Sequence, residues 1–299
     1  MDSTIFILAV LDGVSYAALV FLVSVGLSLI FGVLRIVNVA HGSLYAYGAY
    51  TAATISLLVA PISPWLTFPA LLIAAVLVGV IVGGFIERFL VRPVYGRDDV
   101  LQLLITFAVF MIMDNGQRLI WGVQPIFAAE PVKLLPNVSV FGVNYTSYQV
   151  ILLPLAAAAT LLGLRYFLRR TLAGAVIMAV TEDREMATAI GVDARRVFLV
   201  TFMIGASLAA LGGALASPTT SLVPGMGADM IVLSFAVAAT AGLGQIEGAA
   251  LTALMIGLAR AFVIYIHPEF EVLVPYLLMV LVLLFRPEGL FAGRKVRKI

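Results

Sequence analysis

Long apolar runs separated by short polar clusters make up most of this chain. Nine runs read as candidate spans, at about 6–31, 43–60, 67–88, 100–121, 148–167, 197–216, 228–243, 248–265 and 272–286. A membrane-crossing helix needs roughly 20 mostly apolar residues. Several runs fall short of that, and 228–243 also reads as a half-helix. The pattern predicts an all-α, polytopic membrane bundle with about 8–10 transmembrane helices. No connection is long enough to hold a soluble core, so residues 1–299 are expected to form one membrane domain. The chain opens Met-Asp-Ser without a basic leader region, and the first run is therefore read as a retained span.

Two further patterns add detail. The connection 122–147 carries Pro125, Pro131, Pro136 and Gly142, and "VSVFGVNYTSY" within it alternates enough to predict a short hairpin. Such a loop could be a docking surface or an irregular cap. Small residues recur every four positions at Gly79 and Gly83, along Gly205–Ala209–Gly213–Ser217, and along Ala249–Ala253–Gly257–Ala261. Helices in lipid associate through close backbone approach, which such stripes permit.

Composition supports a membrane protein. The chain is 63% hydrophobic and only 11% charged, with a mean hydropathy of +1.13. A soluble domain carries about a quarter charged residues. The net charge of +2, spread among apolar runs, argues against a nucleic-acid partner. Without cysteine there are no disulfides or thiolate ligands. His41 and His267 lie far apart, so neither a metal centre nor a cofactor is expected.

The charge distribution also gives an orientation. Fifteen of the 18 basic residues fall in alternate connections: Arg35; Arg88, Arg92 and Arg97; Arg165, Arg169, Arg170, Arg184, Arg195 and Arg196; Arg286, Arg294, Lys295, Arg297 and Lys298. The opposite connections hold Lys133, while Arg118 and Arg260 fall inside spans. Basic residues accumulate on the cytoplasmic side. The expectation is an inner-membrane protein with its N-terminus outside and its C-terminus in the cytoplasm.

Two polar segments stand out. In "GVLRIVNVAHGSLYAYGAY", Arg35 reads as a cytoplasmic anchor. Asn38, His41 and Tyr45 would share one helical face, with Gly42 and Ser43 beside them. Polar groups at such depth avoid lipid and line a path, or else fix a helix break. Both readings stay open on the sequence. The second segment, "TEDREMATAIGVDARRV", is the most polar of the chain. Thr181 reads as an N-cap, Glu182, Asp183 and Glu185 as acid near a helix start, and Gly191 as its stop. Arg195 and Arg196 come late, as a helix dipole favours. A short capped helix of this kind could dock on a soluble partner or remain a solvated loop.

Together these segments carry a resemblance. "GLSLIFGVLRIVNVAHGSLYAYGAY" (26–50) resembles the signature of LivH-type permeases, membrane subunits of ABC importers for branched-chain amino acids. "AVTEDREMATAIGVDARRVFLVTFMIGASLAALGGAL" (179–215) is similar to that family's coupling segment and the span after it. "GLGQIEGAALTALMIGL" (242–258) and "LLFRPEGLFAGR" (283–294) resemble two weaker marks in the same order. The resemblance implies a second, LivM-like permease subunit, two ABC ATPase subunits and a periplasmic substrate-binding protein as partners. It implies that the 181–197 segment couples to the ATPases, with Glu182, Asp183, Arg184, Glu185, Ala187 and Gly191 as contacts. The literal Glu-Ala-Ala of related coupling helices is absent. It also makes Asn38, His41, Gly42, Ser43 and Tyr45 candidates for the path or its cytoplasmic mouth. Relatives carry branched-chain amino acids, urea, short amides, or aromatic and aliphatic acids.

Other classes fit less well. An ion-coupled transporter would need an intramembrane acid. Asp12, Asp114 and Glu247 are candidates, but Asp114 has Arg118 four residues on. Arg260 could attract a carboxylate solute or pair locally. No GxxxxGK loop occurs, so ATP would be hydrolysed by a partner and this chain would not be an enzyme. A membrane enzyme would want clustered histidines or acids, and a passive solute channel would not need a coupling helix.

Overall fold

The computed structural model describes residues 3–140 and 142–291. The basic tail residues Arg294, Lys295, Arg297 and Lys298, and the end of the 283–294 motif, lie outside the described residues. Twelve α-helices occur among the described residues. Six segments are long and apolar enough to cross a membrane: 4–34, 64–94, 99–121, 148–170, 194–216 and 246–266.

Helix α1 (Ser3–Leu34) is apolar on every side and forms the axis of the bundle. A helix without a polar face must be surrounded, and 83% of its most apolar window is buried. Helix α9 (Ala194–Ala216) packs against α1, α2 (His41–Val59) and α3 (Thr67–Leu77). Its small residues make this possible. A β-carbon on Gly205 would press on Ile30 and Gly26, and one on Gly213 would overlap the backbone of Tyr45. The third span continues beyond α3 through two π-helical stretches, Val78–Gly83 and Ile86–Val91. There Gly79 faces Ser207 and Gly83 faces Ala206.

Helices α4 (Asp99–Trp121) and α6 (Leu153–Arg170) lie on the outside of the bundle, with large apolar side chains such as Ile112, Leu119, Leu155 and Leu162 exposed. Helix α11 (Ile246–Ile266) lies along α1, with Gly257 against Gly13 and Ala17. Helices α10 (Met226–Ala241) and α12 (Leu273–Phe285) are shorter. At 1.5 Å per residue α10 covers only about 24 Å, short of the roughly 30 Å hydrocarbon core.

The molecule has two chemically distinct ends. At the basic end, Arg169 and Arg165 reach Glu247 at 2.9 and 3.5 Å. The segment after α12 docks there, with Leu290 and Phe291 donating to the carbonyls of Thr240 and Ala241. At the far end, α5 (Glu130–Lys133) precedes a hairpin of β1 (Asn137–Val140) and β2 (Val143–Thr146), in the register Asn137 to Thr146. The hairpin expected from alternation in "VSVFGVNYTSY" is present. Tyr145 from β2 and Tyr265 from α11 both donate to Asp12, at 3.0 and 2.5 Å. Burial, then the Asp12 carboxylate, push the Tyr145 phenol well above its ordinary range.

One helix was not expected. Residues Leu172–Glu182 form α7, between α6 and the polar segment. "AGAVIMAV" is too short to cross a bilayer, but Gly174 lets α7 fold back closely on the end of α6 at Phe167 and Leu168.

Candidate functional site

The segment after α1 does not continue as a helix. Arg35 takes a left-handed backbone, φ 59°, and ends α1 by donating its N–H to Phe31. Residues 35–38 are irregular, and α2 begins at His41. His41 lies not at the level of Leu34 but beside Val23, whose carbonyl accepts its Nε2–H at 2.9 Å. The chain has thus turned back into the bundle along α1 by about three helical turns. Thr106 of α4 supports the return by donating to the Val37 carbonyl at 3.2 Å.

This corrects the helical reading of 38–45. Asn38 is not on the face shared by His41 and Tyr45, because it precedes the helix. All three are nevertheless buried, as are Gly42 and Ser43. Neither polar atom of the Asn38 side chain, nor Nδ1 of His41, nor Oγ of Ser43, has a hydrogen-bond partner among the described residues. Buried polar groups are ordinarily paired, so a cluster of four unpaired atoms marks the break as unusual.

Helix α10 meets the break at its own start. Gly227 stands against Gly42, and a β-carbon on either would press on the other's backbone carbonyl. Two helices therefore begin at one crossing point inside the bundle. A short α10 is explained by this geometry: the preceding residues 217–225 are spent reaching the crossing, held by the pairing of Ile126 with Leu222.

A cavity lies on each side of the crossing. Toward the far end, a cavity of about 430 Å³ is lined by Tyr45, Asp229, Arg260, Glu271 and Tyr276 among others. Toward the basic end, a cleft of about 340 Å³ is lined by Arg35, Arg97, Arg184 and Asp99 among others. One eleven-residue stretch, 35–45, thus has an end in each.

Arg260 is paired, not free. It meets Glu271 in an ion pair and stacks on Tyr16, 4.0 Å above the ring. Asp114 pairs with Arg118 at 2.9 Å, as their spacing suggested. Glu247 is tied to the α6 arginines.

The second polar segment differs from its expected form. Thr181 is inside α7, where its hydroxyl donates to Ile177. Asp183 is the N-cap, its carboxylate accepting the Met186 N–H at 2.9 Å. An aspartate in extended backbone satisfies an orphan N–H that a helical threonine cannot. Helix α8 (Arg184–Ala189) then ends where Gly191 adopts φ 97°, with Val192 N–H on the Ala187 carbonyl and Gly191 N–H on Thr188. That pairing is a Schellman cap. Arg195 and Arg196 do not close this helix. They open α9, where Asp193 caps both of their N–H groups.

Glu182 ends α7, Glu185 is exposed on α8, and Ala187 is buried. Met186 and Ile190, one turn apart, are 63% and 75% exposed. Arg184 stacks on Phe198 of α9, which packs edge-on against Tyr95. Tyr95 in turn donates to Glu87 at 2.8 Å, and Arg92 grips the same carboxylate at 2.8 and 3.2 Å. Burial, then the bond to Glu87, push the Tyr95 phenol far above its ordinary range. Sequence reasoning missed Glu87. Its fivefold spacing from Arg92 falls off an α-helical face, yet π-helical turns, bonded i to i+5, bring such residues together.

Comparison with known proteins decides the family. A model described as "Branched-chain amino acid transport system / permease component" matches residues 9–283. The chain belongs to this permease family. It is 29% identical over 299 residues to the high-affinity branched-chain amino acid transport system permease protein BraD of Pseudomonas aeruginosa, covering 96% of each chain. It is 28% identical over 302 residues to the permease protein LivH of Salmonella typhimurium, covering 98% of each. A probable LivH permease of Methanocaldococcus jannaschii is 26% identical over 272 residues, covering 86% of this chain and 81% of that one. Among solved structures, PsaBC from Streptococcus pneumoniae in complex with Fab aligns with TM-score 0.48 and 11% identity, over 93% of this chain and 91% of that chain. This permease is thus a multi-pass membrane protein, and the four motifs read from its sequence fall within or adjoin the matched region.

Proposed function

We propose that this permease is the membrane-spanning subunit of an ATP-driven importer of branched-chain amino acids. It works beside a second, LivM-like permease, two ATPase subunits that hydrolyse the ATP, and a periplasmic substrate-binding protein. Its basic end faces the cytoplasm and its far end, with the hairpin, faces the binding protein. Residues 1–299 act as one membrane domain.

The observation that carries this reading is α8. It is capped at both ends by its own neighbours and presents Met186, Ile190 and Glu185 outward at the basic end. Exposed apolar residues one turn apart suit the groove of a soluble partner. Asp183, Arg184 and Ala187 hold the helix in place, and Glu182, exposed at the end of α7, joins Glu185 in facing the partner. Asn38, His41, Gly42, Ser43 and Tyr45 form the barrier between the two cavities, and opening this crossing admits the solute.

The test uses the assembled complex in proteoliposomes. Glu185→Arg and Gly191→Trp reduce ATPase co-elution and substrate-stimulated hydrolysis, while binding-protein docking at the far end is retained. Gly191 has open space around it, so the tryptophan acts through backbone strain and surface shape and leaves the core intact. Full co-elution with undiminished stimulated hydrolysis in both variants would overturn the coupling assignment.

A further inference from the structure

The far-end cavity carries an imbalance of charge. Two carboxylates, Asp229 and Glu271, line it against one guanidinium, Arg260. Arg260 is engaged by Glu271. Asp229 makes no hydrogen bond or ion pair among the described residues, although it lies in the first turn of α10. Its side chain is exposed, open to a charged solute that enters the cavity. The Tyr45 side chain, only 5% exposed, also lines the cavity and makes no hydrogen bond among the described residues. The cavity therefore holds an exposed carboxylate without an ion-pair partner and a tyrosine hydroxyl without a hydrogen-bond partner among the described residues.

Its remaining wall is apolar and adaptable. Met226, Met230 and Leu233 follow each other at helical spacing on α10, on the face that carries Asp229. Methionine side chains re-pack around apolar groups of different shape. The volume, about 430 Å³, is within the range of small-molecule sites.

We propose that this cavity is a transit site for a zwitterionic α-amino acid with an apolar side chain. Asp229 receives the ammonium group, and Tyr45 and Arg260 donate to the carboxylate. The methionines and Leu233 receive the side chain. The proposal rests on the import reading above and adds to it a selective step inside the membrane, after release by the binding protein. Because the site lies directly above the Gly42–Gly227 crossing, a bound solute waits at the barrier itself.

The experiment measures binding of tritiated leucine to the assembled permease–ATPase complex in nanodiscs, without the binding protein. Competition with 4-methylpentanoate, which lacks the ammonium group, reports on Asp229 directly. Wild type should bind leucine saturably and prefer it to 4-methylpentanoate by about tenfold or more, the scale of one charge-assisted hydrogen bond. Asp229→Asn should lose that preference, and Asp229→Glu should restore it. The Asn variant keeps the shape of the side chain, and size-exclusion chromatography verifies assembly. Absence of saturable leucine binding in wild type, or an unchanged preference in Asp229→Asn, would overturn the site. Leucine uptake by the wild-type complex with its binding protein separates the two levels. Uptake that is unaffected by Asp229→Asn removes the transit site alone. No branched-chain uptake by wild type removes the import reading and the transit site with it.

Discussion

The two polar segments of this permease solve opposite problems. Residues 183–196 keep their polar groups at the surface and satisfy them locally. Asp183 caps a helix three residues on, Asp193 caps the next, and Gly191 closes α8 through bonds to Ala187 and Thr188. Residues 36–45 are largely buried, and their partners come from far along the chain. His41 depends on Val23, Val37 on Thr106, and Gly42 on Gly227. Several polar atoms there have no partner at all among the described residues. The first segment is closed by its own caps and leaves Met186 and Ile190 exposed. The second is held by the surrounding bundle, which makes it suited to rearrange when that bundle moves.

The largest effect should come from the crossing point. Gly227→Leu places a side chain where the backbone of Gly42 already lies, and neither helix start can retreat. Overpacking costs about 1–3 kcal/mol even where side chains can adjust, so a clash against backbone should exceed that. The variant should fail to yield a monodisperse complex by fluorescence size-exclusion chromatography. The contrasting substitution, Gly191→Ala at the exposed segment, should elute normally. Equal behaviour of the two variants would erase the distinction between a buried and an exposed polar segment.

A smaller effect separates barrier from packing within the buried segment. The Asn38 side chain has no hydrogen-bond partner among the described residues, so Asn38→Leu removes a desolvated amide at little cost. His41→Leu removes one bond, worth about 1 kcal/mol. Both complexes should therefore assemble with melting temperatures near wild type, while branched-chain uptake falls. Normal uptake in both variants would mean that these groups only fill the break. A large loss of stability would mean that they hold it.

The same contrast explains what could be read in advance. The spans were legible because lipid imposes long apolar runs, and α1, α4, α9 and α11 lie close to their expected bounds. Gly191 was legible as a stop because a left-handed residue after a helix favours glycine. The cap lies at Asp183, two residues beyond Thr181, since both residues are capable and only the fold of α7 chooses between them. The re-entry at 35–40 was not legible. Nothing local distinguishes a helix that continues from one that turns back along α1, and the contacts that hold the return come from residues 23, 106 and 227. Asp229 and Glu271 were hidden for the same reason, because the cavity is assembled from α1, α2, α10, α11 and the start of α12.

Arg35 belongs to both kinds of segment, and its substitution should have the smallest effect and an informative sign. It starts the buried stretch, yet its own side chain is exposed in the basic cleft and makes no ion pair among the described residues. Its backbone is the single non-glycine residue at positive φ among the described residues. For a side-chain-bearing residue that conformation costs about 1–2 kcal/mol. Glycine adopts it without penalty, but gains freedom in the unfolded chain that offsets part of the benefit. Arg35→Gly should therefore leave the thermal midpoint unchanged or raise it slightly, whereas Arg35→Ala keeps the strain and loses the charge. If Arg35→Gly instead lowers stability as much as Arg35→Ala does, the guanidinium that both variants lack is anchoring the turn through the cleft. The segment would then be fixed at its exposed end as firmly as at Gly42, and any rearrangement of the proposed barrier would have to start from α10.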